Sequence, residues 1–115
     1  MPFSELENKL YQKAVSDYVE SKRPPEHLRK RIDLNYKFYK FSFEIFEIDY
    51  EPIFGKEPVE KPVAKATFVN TNKIWKIYWQ RADLKWHSYP LHPTAKTIKE
   101  VLQVIREDEA CCFYG

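Results

Sequence analysis

The stretch Val63–Tyr89, VAKATFVNTNKIWKIYWQRADLKWHSY, constrains the fold more than any other part of the chain. It carries all three tryptophans, two turn signals, and an alternation of apolar with basic or aromatic side chains. Side chains alternate across a strand, so the pattern predicts hairpins whose sheet has two chemically different faces. A turn at Asn70–Lys73 predicts Val69 opposite Ile74, Phe68 opposite Trp75, Ala66 opposite Ile77 and Ala64 opposite Trp79. A tight turn at Ala82-Asp83 predicts Arg81 opposite Leu84, Trp79 opposite Trp86 and Tyr78 opposite His87. Both registers place Trp75, Ile77, Trp79 and Trp86 on one face with Ala64, Ala66 and Phe68. A three-residue turn at the second hairpin would reverse the last strand.

Upstream, Leu34, Tyr36 and Phe38 alternate with Asp33, Asn35 and Lys37. Phe41, Phe43 and Ile45 resume the alternation with its phase shifted by one residue. A two-residue turn at Tyr39-Lys40 resolves that shift, pairing Phe38 with Phe41, Tyr36 with Phe43 and Leu34 with Ile45. Residues Ile48–Pro62, with Pro52, Gly55, Pro58 and Pro62 among charges, predict a long loop. Ser4 with Glu7 forms a capping box ahead of Leu6, Leu10, Ala14, Val15, Tyr18 and Val19 at helical spacing, which predicts a helix over Ser4–Ser21. Pro24 and Pro25 end it, and His27–Arg31 adds one further turn. Thr97 with Glu100 repeats the box, and Ile98, Val101, Leu102 and Ile105 make the stripe of a helix running to Glu107. The expected architecture is a single α+β domain over residues 1–115. It has a four-stranded antiparallel β-meander, with the N-terminal and C-terminal helices packed on one face in two layers.

A chain of 115 residues suits one modest core. Charged residues make up 31% of it, and no apolar run is long enough to span a bilayer. The opening MPFSELENKLYQKAV enters a charged amphipathic pattern at once, which predicts no signal peptide, no membrane association and a cytoplasmic location. The net charge is only +2, so attraction to nucleic acid requires local clustering of basic groups. Cys111 and Cys112 are the only cysteines. A disulfide between neighbours closes a strained ring, so two reduced thiols are expected. No other cysteine completes a zinc site with them, and His27, His87 and His92 are dispersed, so no metal or cofactor is expected.

The segment Trp75-Lys76-Ile77-Tyr78-Trp79-Gln80-Arg81-Ala82-Asp83-Leu84-Lys85-Trp86-His87-Ser88-Tyr89 closely resembles the signature of an uncharacterised bacterial family called domain of unknown function 3024. Arg23-Pro24-Pro25, Glu47, Pro62-Val63-Ala64-Lys65 and Cys112-Phe113-Tyr114-Gly115 also look like that family's pattern, so the resemblance covers nearly the whole chain. Cys111 and the central loop depart from it. The resemblance implies a small bacterial domain and carries no activity with it.

The sheet face away from the tryptophans is the functional candidate. By register it displays Lys65, Thr67, Lys76, Tyr78, Gln80, Lys85, His87 and Tyr89. Lysines neutralise phosphates while flat rings stack on unpaired bases, so nucleic acid is the first candidate ligand. Lys22, Arg23, Arg29, Lys30 and Arg31 are an auxiliary basic segment. The ordinary alternative is a solvated sheet face, where lysine beside tyrosine is common. A catalytic set of Glu47, Asp83, Lys85 and His87 would suit metal-assisted phosphoryl transfer or hydrolysis. Its geometry is poor, however, because Glu47 and Lys85 fall on opposite faces, and Ser88, the one nucleophile beside His87, points away from it. Glu47 and Arg81 fall on the apolar face at strand ends and are expected to form a structural ion pair, with Arg81 stacking on Trp79. The resulting expectation is a binding module rather than an enzyme. The second candidate is a protein-interaction or self-associating module, forming a homodimer across the exposed face or recruiting a partner protein along a sheet edge.

Overall fold

Ser4 caps the first helix as its spacing to Glu7 requires. Its hydroxyl accepts the Glu7 N–H at 3.1 Å, and the Glu7 carboxylate accepts the Ser4 N–H at 3.1 Å. The computed structural model describes residues 3–53, 55, 57–110 and 112–114. The first helix, α1, spans Glu5–Lys22; Arg23 leaves it in an extended conformation, and a 3₁₀ turn over Glu26–Leu28 follows the two prolines. Val15, Tyr18 and Val19 are buried, while Leu6 and Leu10 are exposed, so only part of the expected apolar stripe packs.

The strands are β1 (Ile32–Phe38), β2 (Ser42–Asp49), β3 (Val59–Val69), β4 (Ile74–Gln80), β5 (Trp86–Ser88) and β6 (Thr94–Ala95). They form an antiparallel meander in chain order, with β5 and β6 both pairing with β4. The sheet therefore has six strands among the described residues, rather than four. Tyr89 donates its N–H to the Ile77 carbonyl, and the Ile77 N–H reaches Pro93. The chain from Pro90 to Pro93 thus loops out between β5 and β6. The helix α2 (Ile98–Glu107) starts on Thr97, whose hydroxyl accepts the Glu100 N–H at 3.1 Å.

Three turns set the registers. At the first, Tyr39 donates its N–H to the Ser42 carbonyl at 2.7 Å, so the turn is Lys40-Phe41 and lies one residue later than expected. Phe38 pairs with Phe43, Tyr36 with Ile45 and Leu34 with Glu47. A shift of two in register preserves the face of every side chain, so Leu34, Phe43 and Ile45 still enter the core. The second turn pairs Val69 with Ile74, Phe68 with Trp75 and Ala66 with Ile77, as expected.

The third turn departs from expectation. Arg81 donates its N–H to Lys85 O at 3.2 Å and Leu84 donates to Arg81 O at 2.9 Å. Leu84 has φ +63°. This is a three-residue loop, Ala82-Asp83-Leu84, ending in a left-handed residue. Trp79 consequently pairs with His87, and Gln80 with Trp86. The shift is of one residue, so Trp86 moves to the outer face while His87 and Tyr89 move to the helix-covered face.

The predicted loop from Ile48 also shrinks, because β2 runs to Asp49 and β3 begins at Val59. A bulge interrupts the β2–β3 ladder: Ile45 pairs with Ala64 but Phe46 pairs with Pro62, so Val63 is the extra residue. Both helices cover the face bearing Phe43, Ile45, Ala64, Ala66, Trp75 and Ile77, all of them buried.

The two indoles test the register. Trp75→Ala should destabilise the domain by about 3–5 kcal/mol, whereas Trp86→Ala should cost about 1 kcal/mol; urea melts of both variants measure the difference. Equal losses would place Trp86 in the core.

Candidate functional site

The outer face carries Lys65 directly opposite Tyr78, with Trp86 one pair further along opposite Gln80. Tyr78 and Trp86 are therefore diagonal neighbours on adjacent strands. Both rings are half-buried, as are Lys65 and Gln80, while Lys76 is exposed. The Lys65 ammonium lies 5.8 Å from the Trp86 ring centroid. Of the anticipated residues, Lys65, Lys76, Tyr78 and Gln80 share this face, whereas Lys85, exposed and paired with Arg81, leaves it by the same one-residue shift. Trp86 joins them, and the positive φ at Leu84 is why sequence reasoning missed it.

Tyr89 is corrected outright: it is 0% exposed. Its ring packs 4.6 Å from that of Phe113, and its hydroxyl accepts the Ala110 N–H at 3.1 Å. Burial raises its pKa above the ordinary phenol value. His87 also leaves the outer face. Its Nε2 lies 2.8 Å from an Asp83 carboxylate oxygen, and the other Asp83 oxygen accepts the Lys85 N–H at 2.9 Å. The Lys85 amide and then His87 hold the Asp83 carboxyl below its ordinary pKa.

Charge divides the outer face into two halves. On the β1–β2 side, Lys37 pairs with Glu60 at 2.9 Å, and its ammonium also lies 5.0 Å from the Phe46 ring centroid, over a phenylalanine that is itself buried. The Tyr39 hydroxyl donates to Glu44 at 3.2 Å, and Glu44 is the cross-strand neighbour of Lys65. Lys76 instead neighbours Thr67 and Thr94. The cationic, aromatic half is thus the β3–β4–β5 side.

The auxiliary basic segment does not extend that half. Lys22, Arg23, Arg29, Lys30 and Arg31 precede β1, at the opposite edge of the sheet from β5. Arg23 donates Nε and one Nη to the two Asp33 oxygens, each at 2.9 Å, and its other Nη to Glu20. Arg29 donates to Pro24 O at 2.9 Å, and Arg31 pairs with Glu51 at 3.2 Å. Lys22 lies 5.2 Å from the Tyr114 ring centroid. Arg23 thus fastens the end of α1 to β1, Lys22 meets the tail and Arg31 the segment after β2, while Lys30 is exposed.

The expected Glu47–Arg81 ion pair is also corrected, since neither residue enters an ion pair among the described residues. Arg81 does lie over Trp79, 5.7 Å from its ring centroid. Among the described residues, the ion pair with both side chains mostly buried is Arg23–Asp33. No group of three His, Cys, Asp or Glu side chains among the described residues converges to hold a metal. The expected thiol state of the Cys111–Cys112 pair lies outside the described residues, because Cys111 does.

Beyond α2 the chain folds back onto the core. Asp108, with φ +45°, caps the helix, and its carboxylate accepts the N–H groups of Phe113 and Tyr114 at 3.0 and 2.9 Å. The Tyr18 and Tyr114 hydroxyls meet at 2.6 Å, and burial raises the pKa of both. No helix among the described residues is long and apolar enough to cross a membrane.

The family model described as a domain of unknown function (DUF3024) matches residues 3–115. No curated protein and no solved structure matches the chain.

The Arg23–Asp33 contact generates a pH prediction. Hydrogen bonding from Arg23, and then from the Leu34 N–H, lowers the Asp33 pKa. Its contribution is therefore complete above the ordinary aspartate value of about 4 and is lost as pH falls through the lowered folded value. Asp33→Asn should reduce stability at neutral pH and flatten the decline below about pH 4. Thermal melts between acid and neutral pH measure both effects.

Proposed function

We propose that this chain, which belongs to the DUF3024 family of domains of unknown function, is a binding module that takes single-stranded nucleic acid on the outer face of β3–β4–β5. The observation that carries this reading is the placing of Tyr78 and Trp86 as diagonal neighbours with Lys65 and Lys76 around them. Flat, half-exposed rings stack on unpaired bases without sequence preference, and lysines beside them neutralise the adjoining phosphates. A duplex hides its bases from such a surface, so single strands are the matching ligand. Both helices pack on the other face, and no described helix covers this one.

Two sheet edges give less support to strand addition by a partner. On β1 the N–H groups of Leu34 and Tyr36 point away from β2, and the Asp33 and Asn35 side chains accept them at 2.8 Å each. On β3, β4 pairs only with Lys65–Val69, and Pro62 brings no N–H to the stretch left open. Such edges are poor templates for another strand. A homodimer formed across the outer face would use the same rings and is the competing outcome of the test.

Fluorescence anisotropy of labelled single-stranded DNA, single-stranded RNA and duplex, at low and moderate salt, tests the reading. Binding should prefer single strands and weaken steeply with salt. Lys65→Glu combined with Lys76→Glu should weaken it by about tenfold or more, and Trp86→Ala should cost about 1–3 kcal/mol. Salt-insensitive association with no preference among the nucleic acids, or full affinity in both variants, would refute it. Concentration-dependent dimerisation abolished by Trp86→Ala would assign the face to self-association instead.

A further inference from the structure

On the helix-covered side of the sheet, near the end of α1, one carboxylate has no partner. Glu47 sits opposite Leu34 and Lys61 in the ladders and makes no hydrogen bond or ion pair with another described residue. It lines a cleft of about 350 Å³ together with Pro24, Ile32, Leu34 and Tyr114. That volume lies within the range of small-molecule sites. The cleft's other carboxylate, Asp33, is spent on Arg23 through two hydrogen bonds of 2.9 Å.

The surroundings select a ligand by chemistry. Pro24, Ile32 and Leu34 offer apolar walls, which suit an alkyl chain and give nothing to a compact polar ion. Tyr114 offers an aromatic face to which a cation already adheres, the Lys22 ammonium at 5.2 Å from its centroid. Lys22 is exposed on the last turn of α1, so leaving the ring costs it little. An unpaired carboxylate beside an aromatic face is a site for a hydrogen-bonding cation.

We propose that this cleft binds a primary alkylammonium group, with the ammonium between Glu47 and the Tyr114 ring and the alkyl chain against Pro24, Ile32 and Leu34. Lys22 occupies the ring in the unliganded protein and is displaced. The site lies across the sheet from the Tyr78–Trp86 face and does not depend on the function proposed for it.

The test is titration of the whole chain with n-butylammonium chloride at low salt, followed by amide NMR shifts, with n-butanol and sodium butyrate as controls. Saturable shifts should appear at the amides of Leu34, Glu47 and Tyr114, for the ammonium only. Glu47→Gln, nearly isosteric, should weaken binding by about tenfold or more. Lys22→Ala, at an exposed position, should tighten it by removing the resident cation. Absent shifts, equal response to butanol or butyrate, or unchanged affinity in Glu47→Gln would overturn the proposal. N-acetyl-lysine amide distinguishes the two sources of this group: tighter binding than butylammonium assigns a lysine side chain of a peptide, and equal binding assigns a free amine.

Discussion

Trp75 holds the two layers together. It is 1% exposed, and its ring lies 5.9 Å from Phe3, 5.4 Å from Tyr11, 5.9 Å from Phe43 and 5.2 Å from Phe68. One side chain therefore joins the segment before α1, α1 itself, β2 and β3. Edge-on and tilted ring pairs of this kind add to what simple burial supplies. They also decide where the helices go. With the aromatic cluster on one side of the sheet, α1 and α2 must cover that side, and the basic-aromatic side is left to solvent.

The legible part of the fold followed from parity. The first hairpin turn falls one residue later than the composition suggests, yet every β1 and β2 side chain keeps its face, because the register error is an even number. The last hairpin fails by an odd number, and every side chain from Lys85 to Tyr89 changes sides. Nothing in Ala82-Asp83-Leu84 announces the left-handed residue, since leucine rarely adopts it and no glycine marks the place. The Asp83 carboxylate supplies the missing local reason by accepting the Lys85 amide.

The site was legible to the same degree and for the same reason. Lys65, Lys76, Tyr78 and Gln80 precede the loop and keep their face; Lys85, Trp86, His87 and Tyr89 follow it and do not. The expected Glu47–Arg81 pairing rests on shared parity, which places two side chains on one face but says nothing of their reach. Arg23 and Asp33 sit in different elements joined by a proline turn, and no periodicity relates them. The fold-back of Phe113 and Tyr114 depends on the Asp108 carboxylate, a tertiary contact without a composition signature. The two-residue strand β6 is too short to carry a periodicity, and it shares with β5 the one edge of β4 that the expected hairpin fills.

The length of the Ala82–Leu84 loop governs more surface than any single side chain in it. Point substitutions alter one position at a time, but removing a residue here would rotate the strand that follows by half a turn. An indole would go inward, and an imidazole and a phenol would come out. Insertions and deletions in this loop therefore act as whole-surface exchanges, so relatives that differ only in loop length at this point would present different chemistry on an otherwise unchanged scaffold.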